Sequence, residues 1–132
     1  MLSDINIKTR SQIEFIDITS QVQGVLDKSG IKEGVCSVYV PHTTAAGTIN
    51  ENADPDVIMD IITKLNEIVP LNGNYRHTEG NSAAHIKASI IGASETVFIK
   101  DGRLILGTWQ SIFFCEFDGP RSRRVFIKLI TQ

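Results

Sequence analysis

Residues 104–130, LILGTWQSIFFCEFDGPRSRRVFIKLI, decide the fold class. They read as two β-rich runs, 104–117 and 122–130, separated by the turn-forming triplet Asp118-Gly119-Pro120. Working back along the chain, residues 85–91 and 95–99 read as two further strands, with Gly92 and Asp101-Gly102 supplying the turns. Alternation along 85–91 puts His85, Lys87 and Ser89 on one face, and assigns Ile86, Ala88 and Ile90 to the core.

The first half reads differently. Residues 5–18 predict two short strands in a hairpin, and 34–40 a third strand. Thr19 caps a helix over 20–28 that buries Val22, Val25 and Leu26 and ends at Gly30. Asp54-Pro55 is a helix start. Val57, Ile58, Ile61, Ile62, Leu65 and Ile68 follow at helical spacing, and Pro70 stops the run. Two helices and many strands, the strands clustered late, predict a single α+β domain with largely antiparallel sheets.

Composition bounds the function. A chain of 132 residues with 42% hydrophobic and 21% charged residues can bury a core without staples. A net charge of -2 lacks the basic excess of a general nucleic-acid binder. No apolar run reaches the length of a membrane span, and MLSDINIKTR lacks the apolar core of a signal peptide, so a cytoplasmic location is expected. Cys36 and Cys115 sit in apolar runs without CxxC spacing and read as buried free thiols.

Three histidines carry the candidate chemistry. His42 ends a strand at PHTTAAGTINENADPD (41–56), while His77 and His85 belong to the polar loop NGNYRHTEGNSAAH (72–85). Three imidazoles suffice for a catalytic divalent metal, Zn or Mg, with Glu51 or Glu79 to orient a ring or move a proton. Their spacing fits three unrelated histidines equally well. Near the end of the chain, Arg121, Arg123 and Arg124 follow Glu116 and Asp118. These cations could pair with the two acids or hold a phosphate or carboxylate. Along 109–118, Trp109, Ser111, Phe113, Cys115 and Phe117 read as the core face. Gln110, Ile112, Phe114, Glu116 and Asp118 form a mixed face that suits burial against another subunit. Trp109, beside Gly107 and Gln110, could also floor a pocket.

The stretches VYVPHTTAAGTINENADPDV, HTEGNSAAHIKASIIGAS and GRLILGTWQSIFFCEFDGPRSRRV together resemble the YjbQ-like family, some of whose members carry a secondary thiamine-phosphate synthase activity. The similarity runs in order over nearly the whole chain. It implies an α+β homotrimer with a pocket near the subunit contacts that takes a small phosphorylated or anionic metabolite. It also implies that His42, His77, His85 and Glu51 are catalytic, the three histidines being the metal-ligand set. Thr43, Asn50, Asn81, Lys87, Ser89, Trp109, Gln110, Arg121 and Arg123 are implied as substrate-binding residues, with Glu116 and Asp118 beside them. On this expectation the three histidines converge in space, and Asn50 and Glu51 line the cavity that His42 enters.

Overall fold

Proline and glycine punctuation divides the chain into eight strands and three helices in a computed structural model that describes residues 2–131. The strands are β1 (Leu2–Lys8), β2 (Glu14–Asp17), β3 (Gly34–Tyr39), β4 (Ala45–Glu51), β5 (Ser94–Lys100), β6 (Arg103–Leu104), β7 (Gln110–Glu116) and β8 (Ser122–Thr131). The helices are α1 (Thr19–Ser29), α2 (Pro55–Ile68) and α3 (Ser82–Ile91). Every strand pairing is antiparallel, and the class is α+β.

One sheet runs β1-β8-β3-β5-β6 and the other β2-β7-β4. The smaller sheet is the middle layer. Its Ala45, Ile112 and Phe114 meet Val38, Val97, Val125 and Ile127 of the larger sheet, together with Val22 and Leu26 of α1. Its other face, Ala46, Phe113, Cys115 and Phe117, packs against Ala84 and Ala88 of α3 and Leu65 of α2. Strand β7 is therefore buried on both sides from Ser111 onward. Ile112 and Phe114 are in the intrachain core, so they leave no mixed face for a second subunit. Burial leaves Cys36 and Cys115 as free thiols and raises both pKa values, that of Cys36 to about 11.

Several local expectations change. β1 and β2 lie in different sheets and form no hairpin. Thr19 opens α1 without capping it. Its amide donates to Asp17 Oδ1 at 2.9 Å, and its hydroxyl accepts from Ile112 N–H at 2.8 Å. Gly30, at φ 72°, ends α1 in the left-handed conformation that glycine tolerates best. Asp54 caps α2 as expected, accepting from Asp56 N–H at 2.9 Å. The run 41–56 contains a whole strand, β4, whose AAGT segment is too small and apolar to announce itself. Residues 104–117 are two strands separated by a turn at Gly107–Gln110, where Gln110 Oε1 accepts from Gly107 N–H at 2.8 Å.

The largest correction concerns 85–91, which is the helix α3. As a strand it would have buried Ile86 and Ile90, but both are exposed, and Ala84, Lys87 and Ala88 are buried instead. A six-residue alternation is also compatible with a helix when small alanines, at i and i+4, supply the contact face.

Candidate functional site

Pro41 ends β3, and the chain leaves the larger sheet where β8 still continues toward Ser122. The Arg124 N–H on that edge loses its ladder partner, and His42 takes its place: Nε2 accepts from Arg124 N–H at 2.9 Å. An imidazole that accepts through Nε2 carries its proton on Nδ1. Burial first, and then the charge of Arg123, lower the His42 pKa, so the ring is a neutral Nδ1–H donor near pH 7.

Beside it, Glu116 and Arg123 form a buried pair, 0% and 6% exposed. Arg123 Nε donates to Glu116 Oε1 at 2.8 Å and Nη2 donates to Glu116 Oε2. Nη2 also donates to Thr44 Oγ1 at 2.9 Å, while Thr9 Oγ1 and Asp118 N–H donate to the carboxylate. Burial alone would raise the Glu116 pKa, but the bonds from Arg123, Thr9 and Asp118 outweigh it and hold the group below its usual range. Arg121 is tied to Asp118 through Nε and Nη2 at 2.7 and 2.9 Å.

These groups wall a cavity of about 430 Å³ that His42, His77, His85, Asn81, Arg121 and Arg123 line together. Among small-molecule sites that is an ordinary size. His77 and His85 meet edge to face with ring centroids 5.4 Å apart, and Glu79 Oε2 lies 3.8 Å from His77 Nε2. Asn81 Nδ2 donates to Asp118 Oδ2 at 2.9 Å, while its Oδ1 is buried without a partner. Buried acceptors are rarely left so. Thr43 lines this cavity too, and with Ser89, His42 and His85 it lines an adjoining concavity. Tyr75 and Arg76, which the sequence did not single out, border the His77–His85 pair in a further concavity. Thr9 and Thr44 were also missed, because a buried ion pair draws its secondary partners from segments distant in sequence.

The remaining predicted residues lie elsewhere. β4 pairs with β7 so that Ala45 faces Glu116 and Glu51 faces Gln110. At roughly 3.3 Å per residue this puts Asn50, Glu51 and Gln110 about 20 Å from the Glu116 end. Trp109, 63% exposed, belongs to that far end and is neither core nor pocket floor. Lys87 opens into a separate cavity behind α3.

The three histidines proposed as metal ligands share one cavity. A ligating histidine ordinarily donates its second ring nitrogen to a neighbour, whereas the second nitrogen of His42 accepts. Among the described residues no three His, Cys, Asp or Glu side chains are grouped to hold a metal.

Fold and site define a small α+β protein with a histidine- and arginine-lined pocket. The chain belongs to the family described as UPF0047 protein YjbQ-like, whose model matches residues 3–132. It is 53% identical to UPF0047 protein YugU of Bacillus subtilis over 131 residues, covering 98% of this chain and 99% of that one. It is also 53% identical to UPF0047 protein MJ1081 of Methanocaldococcus jannaschii, covering 98% and 94%. A crystal structure of a YjbQ/UPF0047 protein from Clostridium acetobutylicum superposes with a TM-score of 0.95 at 53% identity, covering 97% of this chain and 99% of that one. A Sulfolobus solfataricus structure, described as of unknown function, matches with a TM-score of 0.95 at 37% identity, covering all of this chain and 97% of that one.

Proposed function

We propose that the chain is an enzyme acting on a small phosphorylated or otherwise anionic metabolite by imidazole acid–base chemistry. The observation that carries this is the single cavity lined by three imidazoles and two arginines. In this reading His42 Nδ1–H, and the N–H groups of Arg121 and Arg123 not spent on Asp118 and Glu116, bind the anionic group. His77 and His85, whose rings are not tied to backbone, move the proton. The arginines arrive already paired, which favours modest affinity and discrimination by hydrogen-bond pattern over tight phosphate capture.

The thiamine-phosphate synthase version would set Arg121 and Arg123 against a departing pyrophosphate. Trp109, the aromatic wall expected for the pyrimidine, is about 20 Å away along the sheet. The broader reading is preferred for that reason.

We also propose a homotrimer, supported by the exposed apolar side chains of Met59 and Ile68 on α2 and Ile86 and Ile90 on α3. Light scattering is expected to report three chain masses. A cytoplasmic location belongs with this proposal; no described helix is long and apolar enough to cross a membrane.

The test is turnover of a panel of phosphorylated and carboxylated metabolites by the wild type and His85→Gln. The expected result is a substrate whose turnover falls about 10²- to 10⁴-fold in the variant while its affinity stays within a few-fold. Binding without turnover throughout the panel would reduce the protein to a metabolite-binding trimer.

A further inference from the structure

The geometry points to a second binding site, on the opposite side of α3 from the histidines, built to take a small carboxylate with an apolar body. We infer it from Lys87. Residues two apart on a helix lie roughly 200° apart around the axis, so His85 and Lys87 leave α3 on opposite sides. His85 faces the histidine cavity and Lys87 a cavity of about 400 Å³ between α2, α3 and the segment before β2.

Lys87 is 2% exposed. Its ammonium has three donors, of which one is used on Asn66 Oδ1 at 2.5 Å. Among the described residues no carboxylate lies within ion-pairing distance of it, although the buried Arg123 and the half-exposed Arg121 of the other pocket each have one. Burial lowers the Lys87 pKa, as expected of a cation without a counter-ion. Buried charges in proteins are ordinarily paired. A helix–helix tie to Asn66 alone would be served at lower desolvation cost by a neutral amide.

The cavity wall shows what would complete the site. It contains no acidic residue and no second cation. Gln12 and Asn72 line it with side-chain amides that make no hydrogen bond among the described residues, and Ile13, Leu71 and Phe117 supply its apolar part. One cation with amide donors balances a single negative charge, and a doubly charged phosphate would be under-neutralised here. The apolar wall matches a hydrocarbon body on the same ligand. This site stands independently of the histidine pocket.

Hexanoate is the probe, with hexanol and inorganic phosphate as controls, followed by NMR of the full-length chain. Hexanoate is expected to bind with Kd about 1 mM or tighter. It should shift Ile13 and Phe117 and raise the pKa of Lys87 Nζ, while hexanol and phosphate bind at least about tenfold more weakly. Lys87→Met should lower hexanoate affinity about ten- to hundredfold. His85→Gln should leave it unchanged, which separates this site from the histidine pocket. Asn72→Ala, at an exposed position, should weaken binding several-fold and serves as the check if Lys87→Met fails to fold. No hexanoate binding at Lys87, or binding that survives Lys87→Met or Asn72→Ala undiminished, overturns the inference. Equal binding of hexanol would overturn it too, since the site would then be apolar only.

Discussion

The two sides of α3 solve the burial of positive charge in opposite ways. On the histidine side, Arg123 is enclosed with Glu116, and Arg121 is held by Asp118. Each cation arrives neutralised, with hydrogen bonds that fix its orientation. On the other side, Lys87 is as deeply buried as Arg123 and has only an amide beside it. The first arrangement makes a rigid, nearly neutral cavity that recognises a ligand by donor and acceptor pattern. The second leaves a charge to be satisfied by whatever enters.

The contrast is easiest to break through stability. Glu116→Ala strands Arg123 in the core and is expected to cost about 3–5 kcal/mol in denaturant unfolding. Lys87→Met removes a charge that had no counter-ion and should change stability by about 1 kcal/mol or less, in either direction. Similar large losses in both variants would erase the distinction between the two sides.

The pH dependence sharpens the same comparison. Glu116 has a folded pKa below its ordinary 4.5, so its contribution is present above that value and is lost as pH falls through the lowered one. His42 is also lowered, from 6.5. Its neutral form is the one that accepts the Arg124 amide, so stability should first decline as pH drops below about 6.5. His42→Gln should flatten that first decline and leave the second, carboxylate decline in place. A single decline near pH 4 in the wild type would contradict the role given to His42. The smallest effect is expected at Arg121, half exposed in its pairing with Asp118: Arg121→Ala should cost about 0.2–1 kcal/mol of stability.

How much of this was legible beforehand depended on whether the signal was local. Asp54-Pro55 carried its own mechanism and read correctly, as did Gly30 at the end of α1. The α3 segment misled because Ile86 and Ile90 are outward-facing apolar residues, while the contact face is built from alanines that alternation rules do not weigh. β7 misled differently, since a strand covered on both faces has no alternation to read, and its Ile112 and Phe114 then mimic an interface. Among site residues, the family resemblance implied a set whose His42, His77, His85, Asn81, Arg121 and Arg123 line one cavity. It grouped Asn50, Glu51, Trp109 and Gln110 with them because proximity in sequence hides a strand's length: β4 carries Asn50 and Glu51 to the opposite end of the sheet. The pairing of Arg123 with Glu116 was foreseen as an alternative, and its depth of burial was not.

The role of His42 is open to direct measurement by ¹⁵N NMR of the imidazoles between pH 6 and 8, with and without Zn²⁺. The expected spectrum shows His42 neutral near pH 7, protonated on Nδ1 with Nε2 accepting, unchanged by Zn²⁺ and perturbed by a substrate that fills the pocket. A His42 protonated on Nε2, or one whose Nδ1 shifts on Zn²⁺ ligation, would contradict a pocket that works by hydrogen bonding and proton transfer.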